Sequence, residues 1–156
     1  MVEVDGLGKL LKEHPFFADW SDDYRELLAG CAMNHRFDAG DYVAREGQPA
    51  DKFYLIRHGS VVLEYPVPGN DPLLIETLHE GEVFGWSWLV PPYQWSFDVR
   101  AMELCRMVSM DATCLRGKCE ADHSLGYELF KRFLPIISER MQASRIRLLD
   151  LYGPRK

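Results

Sequence analysis

From Phe37 to Tyr65 the chain reads FDAGDYVAREGQPADKFYLIRHGSVVLEY, with apolar and polar residues alternating at period two and interruptions at Gly40, Gly47 and Gly59. A strand turns successive side chains to opposite faces, so this alternation requires short, half-buried antiparallel strands, and the glycines supply the tight turns between them. Pro66 to Pro72, PVPGNDP, predicts a hairpin-like loop, after which Leu73 to Leu78 and Val83-Phe84 resume the strand pattern. Phe97 to Ser109, FDVRAMELCRMVS, adds one or two strands before the composition turns helical at Asp111. Short strands at a spacing of about eight to twelve residues read as a sandwich or barrel.

Helices are expected at both ends of this β region. Leu7, Leu10 and Leu11 form the apolar face of a first helix that His14-Pro15 ends. Ser21-Asp22-Asp23 has the form of an N-cap and acidic first turn for a second helix through Leu27 and Leu28. The predicted class is therefore α+β: an antiparallel sandwich or barrel flanked by N-terminal helices and a long C-terminal helix. One domain is expected across 1–156, with helices in 1–34, the β region in 35–110 and C-terminal helices in 111–152. At 156 residues and 47% hydrophobic composition the chain is long enough for one moderate core.

Within the β region, Gly81 to Ala101, GEVFGWSWLVPPYQWSFDVRA, carries the chemistry. An apolar run ends in Phe84-Gly85, and Gly85 permits a sharp turn that a residue with a Cβ resists. Trp86 to Val90 can form one helical turn before Pro91 and Pro92 stop it. A tight glycine turn leading into a free helix start gathers unpaired N–H groups, which suits a phosphate or carboxylate. The same outline also fits an ordinary strand-to-strand connection.

The C-terminal segment has its own signal. From Glu128 the chain reads ELFKRFLPIISERMQASRIRLLDLY, with apolar residues at Phe130, Leu134, Ile137, Met141, Leu148 and Leu151 and only Ser144 interrupting a 4-3-4-3 spacing. That is a heptad seam, expected to pair with another helix, either in a homodimer or on the chain's own β region. Pro135 is expected to begin a new helical segment or to kink the helix.

Taken together, His14-Pro15-Phe16-Phe17, Gly40, Glu46-Gly47, Asp51-Lys52-Phe53-Tyr54, Gly59, Gly81-Glu82, Phe84-Gly85 and Val99-Arg100-Ala101 make the chain resemble the cyclic-nucleotide-binding domain family, whose members include the sensor half of the catabolite activator protein. The resemblance covers about residues 7 to 152. It implies an antiparallel β-roll or jelly roll (a double-stranded β-helix), flanked by N-terminal helices and a long C-terminal helix, that senses a small ligand, passes the change to an attached element, and dimerises through the last helix. It also implies ligand contacts from Phe84, Gly85, Trp86, Ser87, Trp88, Trp95, Ser96 and Phe97. Arg140, Ser144 and Arg145 are implied where that helix faces the pocket, and Leu134, Ile137, Met141, Leu148 and Leu151 on the dimer seam.

Two departures limit what the resemblance carries. After Phe-Gly the family has a Glu that accepts from the ribose 2′-hydroxyl, whereas this chain has Trp86, whose indole only donates. The family's phosphate-pairing Arg falls on Trp95. A charge-assisted hydrogen bond contributes about 1.5–3 kcal/mol, so its loss weakens a phosphate ligand by about tenfold to a hundredfold. Arg100 does not substitute by parity, since Trp95, Phe97 and Val99 share one strand face and Ser96, Asp98 and Arg100 the other. No cofactor is expected, and cyclic nucleotide is disfavoured. Trp86, Trp88 and Trp95, with Tyr93 and Phe97, admit three readings: an aromatic box for a flat ligand, indoles filling the old pocket, or an aromatic patch for a protein partner.

The expected function is a non-catalytic small-molecule-sensing regulatory domain that does not bind cyclic AMP in the usual way. The alternatives are a dimeric interaction module with a Trp-filled pocket, serving as accessory subunit of a larger complex, and a true cyclic-nucleotide binder. No nucleophile elbow, paired catalytic motif or metal signature is present, so no enzyme and no metal site are expected. The family's transcription factors continue into a helix-turn-helix, whereas this sequence stops at Gly153-Pro154-Arg155-Lys156, so DNA binding is not expected; the net charge of −6 agrees. No run approaches eighteen apolar residues and the N-terminus lacks a signal-peptide core, so a cytoplasmic chain without membrane association is expected. Cys31, Cys105, Cys114 and Cys119 show no metal or redox spacing; Cys114 and Cys119 are expected to be free thiols in a reducing compartment.

Overall fold

The computed structural model describes residues 4–152, which divide after Gly117 into two compact units. In the first, α1 (Val4–Glu13) buries Leu7 and Leu11 and ends at His14, whose Nδ1 accepts from the amide of Phe16 at 3.1 Å. In α2 (Asp22–Ala29), Ser21 is the N-cap, its hydroxyl accepting from the amide of Tyr24 at 3.2 Å. Between the helices, the buried Arg25 guanidinium donates to the carbonyls of Phe17, Ala18 and Trp20 and to the Asp22 carboxylate, which fixes the Phe16–Trp20 aromatic cluster.

Among the described residues eight strands follow: β1 (Ala32–Phe37), β2 (Tyr42–Ala44), β3 (Lys52–His58), β4 (Val61–Tyr65), β5 (Leu73–Leu78), β6 (Val83–Phe84), β7 (Asp98–Ala101) and β8 (Cys105–Asp111). They form two antiparallel four-stranded sheets, ordered β1-β8-β3-β6 and β2-β7-β4-β5. This is the expected jelly-roll arrangement, with β1 beginning earlier than the alternation indicated. The inward residues of both sheets make one core: Tyr54, Ile56, Phe84, Cys105 and Met107 from the first meet Ala44, Val61, Leu63, Val99 and Ala101 from the second. Gly59 shows why the glycine punctuation is obligatory. Its φ is +93°, and a Cβ there would lie 2.5 Å from the carbonyl oxygen of Leu104.

After β8, α3 (Ala112–Ala121) starts on a cap in which the Asp111 carboxylate accepts from the Cys114 amide at 2.8 Å. One expectation is overturned here. Cys114 is not a free thiol but is disulfide-bonded to Cys31, 83 residues away, with Cα atoms 5.6 Å apart. The linear spacing carried no such signal, because the turn into β1 and the start of α3 meet only when β1 pairs with β8 and Ala32 comes opposite Met110. Cys105 and Cys119 are free.

The second unit is chiefly α4 (His123–Tyr152), entered through Asp122, whose carboxylate accepts from the amides of Ser124 and Leu125. It runs as one 30-residue helix with Pro135 inside it, so no new segment begins there. Pro135 forgoes one helical N–H, which leaves the Lys131 carbonyl without its i+4 donor. Leu125, Leu129 and Phe133 are buried, whereas Leu134, Met141, Leu148 and Leu151 of the seam are each more than half exposed and Ile137 is half-buried. No described helix is long and apolar enough to cross a membrane.

Candidate functional site

β6 is the platform of the cassette. It pairs with β3 through Tyr54–Phe84 and Leu55–Val83, which delivers the chain to Gly85 at the edge of the core. Gly85 has φ +97°, and the turn continues into a 3-10 helix over Trp86–Leu89, closed by Val90 N–H donating to the Ser87 carbonyl at 3.2 Å. That is the single helical turn expected before Pro91-Pro92. Trp86 and Ser87 are half-buried, and Trp88 is buried and stacked on Phe53 with centroids 6.0 Å apart and planes 16° apart. Val90 to Tyr93 are exposed. Arg116 of α3 holds this segment from outside, donating to the Trp88 carbonyl at 2.8 Å with its guanidinium 5.0 Å from the Tyr93 ring.

Trp95 is clamped by the backbone: its N–H donates to the Gln48 carbonyl at 2.9 Å and its carbonyl accepts from Gly47 at 2.8 Å. The indole thereby enters the core, only 5% exposed, within ring-contact distance of Tyr54, Phe84 and Phe97. It also lies on Gly85. A Cβ built on that glycine would come within 2.6 Å of Trp95 Cη2 and 3.2 Å of Cζ3. At the position where the resemblance places a phosphate-pairing cation, the chain thus has a buried ring against the turn that would meet the phosphate.

Parity holds along the following strand. Val99 and Ala101 point into the core, while Arg100 donates Nε–H to the buried Glu64 carboxylate at 2.7 Å. The partner of Arg100 is therefore a carboxylate of this chain, and hydrogen bonding to Glu64 raises its pKa further. Asp98, on the same face, accepts from the Glu46 amide at 2.8 Å and lies 3.7 Å from Arg45 Nε. Ser96 is exposed and Phe97 half-buried.

Sequence reading missed three contributors. His35 Nε2 bonds Ser109 Oγ at 2.8 Å, and the imidazole stacks on Phe37 and meets Tyr54 edge-on. Burial, with the Lys52 charge second, lowers the His35 pKa, so the ring is neutral at pH 7. Burial and the nearby Asp51 charge push the Tyr54 phenol up to about 12. The His35 ring and the Tyr54 phenol are therefore mostly uncharged at pH 7, beside the charges of Lys52 and Asp51. His35 was legible by its period-two relation to Phe37; Ser109 and Arg116 had no comparable mark. In the second unit Arg140 is half-buried and Ser144 and Arg145 are exposed, with Arg145 Nη2 3.7 Å from Met141 Sδ.

Comparison with known proteins agrees with this fold. The model of the cyclic nucleotide-binding domain family matches residues 34–122. Human cGMP-dependent protein kinase 2 is 33% identical over 95 residues, 60% of this chain and 12% of the kinase. Human potassium/sodium hyperpolarization-activated cyclic nucleotide-gated channel 2 is 30% identical over 102 residues, 65% of this chain and 11% of the channel. The chain thus spans a small part of the relatives it matches. Among solved structures, a Geobacter metallireducens protein ascribed cyclic nucleotide binding is 25% identical with TM-score 0.76, covering 86% of this chain and 97% of that one. A cyclic nucleotide-binding domain from Methylobacillus flagellatus shares the fold at 18% identity and TM-score 0.78, covering 97% of this chain and 85% of that one. The chain belongs to the cyclic nucleotide-binding domain family, a family of regulatory domains with the jelly-roll fold.

Proposed function

We propose that this domain is a non-catalytic regulatory module whose roll is closed to cyclic nucleotides and which acts through protein contacts along α4. The observation that carries this reading is Trp95, buried in the core and lying on Gly85. A ligand phosphate at that turn would have to displace an indole that contacts three rings, and Arg100 is already held by Glu64. Burial of an aromatic ring contributes several kcal/mol, which opposes its displacement by a solvated anion. The exposed seam of Leu134, Met141, Leu148 and Leu151 is the matching partner surface, a second copy of the chain being the simplest occupant.

A second reading, sensing of a flat uncharged ligand, is favoured by the half-buried Phe37 next to His35 and Tyr54, both mostly uncharged at pH 7.

The test is calorimetric titration with cyclic AMP and cyclic GMP, alongside intrinsic tryptophan fluorescence and sedimentation. The closed-roll reading expects a dimer with no saturable nucleotide response up to about millimolar ligand. Micromolar binding of either nucleotide would overturn it. In the W86E/W95R variant, which restores the family's residue types, nucleotide affinity is expected to appear.

A further inference from the structure

Cys31 directly follows Gly30, the C-cap of α2, and leads into β1, while Cys114 lies in the first turn of α3. Their disulfide is one of several ties at this junction. The Asp111 amide donates to the Cys31 carbonyl at 2.9 Å, and the Ala112 amide donates to the Asp51 carbonyl at 2.8 Å. Two residues beyond Cys114, Arg116 donates to the Trp88 carbonyl and covers Tyr93. Residues two apart on a helix lie about 200° apart around its axis. One turn of α3 therefore holds the α2–β1 junction on one side and the cassette on the other.

The two sulfurs differ in access. Cys31 is 5% exposed, whereas Cys114 is half-buried and so the more open of the two. The remaining thiols do not compete readily for it. Burial raises the pKa of both Cys105 and Cys119, which disfavours the thiolate, and Cys105 additionally donates to the Ser60 and Glu103 carbonyls.

We propose that the Cys31–Cys114 disulfide is a thiol-responsive strap that sets how tightly α3 holds the cassette through Arg116. The reductant is a low-molecular-weight thiol. Its thiolate attacks Cys114 Sγ, the Sγ–Sγ bond breaks, and Cys31 leaves as a thiolate that takes up a proton. A second thiol then displaces the first from Cys114, giving the Cys114 thiol and the disulfide of the reductant, so that two electrons and two protons enter the protein. With the disulfide open, the start of α3 keeps its Asp111 cap but loses the covalent tie to the α2–β1 junction, and Arg116 is no longer fixed over Trp88 and Tyr93. This inference goes beyond the closed-roll reading and does not depend on what the roll binds.

The experiment equilibrates the full chain in graded mixtures of reduced and oxidised glutathione, reads thiol state by alkylation and mass, and follows amide exchange in each state. The disulfide is expected to open while the protein stays folded, with exchange over Trp86–Tyr93 faster by about tenfold or more and β3 and β8 unchanged. C31A/C114A is expected to show the fast cassette exchange without reductant. R116Q is expected to show it with the disulfide intact, and reducing R116Q should add about twofold or less. The proposal is overturned by four free thiols in oxidising buffer, by a disulfide that opens only when denaturant unfolds the chain, or by reduction that leaves cassette exchange unchanged. Should C31A/C114A fail to fold, R116Q decides, and slow cassette exchange in that variant overturns the link.

Discussion

The Trp95 indole rests on Gly85 so closely that a Cβ on the glycine would stand 2.6 Å from the ring, and Gly85 itself has φ +97°. Two separate demands for glycine therefore meet at one residue, one from the backbone and one from the ring. A left-handed conformation costs a residue with a Cβ about 1–2 kcal/mol, and forced overlap in a packed core adds about 1–3 kcal/mol. G85A is expected to lose about 2–5 kcal/mol in denaturant unfolding. In a W95A background the ring's share disappears, leaving the conformational part of about 1–2 kcal/mol and the close approach of the Lys52 carbonyl at 3.3 Å. Equal losses in both backgrounds would show that the ring does not press on the turn.

W95A alone removes a ring that is 5% exposed and in contact with Tyr54, Phe84 and Phe97. Truncation of a buried Trp leaves a cavity and is expected to cost about 3–5 kcal/mol. The vacated space is dry, so the variant should bind a small apolar molecule such as indole, detectable as a ligand-dependent rise in Tm. Absence of that rise would mean that the roll collapses into the gap.

Arg100 and Glu64 form a partly buried pair, with the Glu64 side chain 9% exposed and that of Arg100 33% exposed. R100M is expected to cost about 1–3 kcal/mol, because it leaves a carboxylate without its charged donor. R100M/E64L, which removes both polar groups, should recover most of that loss. A double variant less stable than R100M would contradict this account.

Burial lowers the pKa of both His14 and His35, although backbone carbonyl contacts at Ile56 and Glu82 partly offset the effect at His14 and the Lys52 charge adds to it at His35. A histidine whose folded pKa lies below its ordinary value of 6.5 takes up a proton more readily when the chain is unfolded. Stability from these groups is therefore complete above 6.5 and lost as pH falls through 6.5 toward the lowered values. Tm should fall between pH 7.5 and 5.5, and the slope should be smaller in H14Q and in H35Q. An unchanged slope in both variants would assign the acid sensitivity elsewhere.

Along α4 the seam residues Leu134 and Leu148 are 61% and 55% exposed. L134E/L148E is expected to weaken self-association by about tenfold or more in sedimentation, with little change in the thermal unfolding of the roll. A wild-type chain that sediments as a monomer at every concentration would remove the dimer from the proposed function.

The sequence alone determined the strand pattern, the glycine turns, the N-cap of the second helix, and the strand parity that put Trp95 and Val99 on one face and Arg100 on the other. Each of these is local: period-two alternation, a required positive φ and a side chain reaching its own backbone are all set by residues a few positions apart. Only the tertiary structure decided that Trp95 lies on Gly85, that Cys31 joins Cys114, that His35 meets Ser109 and that Arg116 holds Trp88. Each of these joins residues brought together only when the strands pair or the start of α3 folds back against the roll. Sequence periodicity fixes which face a side chain takes, but which partner waits on that face is set by how distant segments pack, and so the fold was legible residue by residue while the occupant of the roll was not.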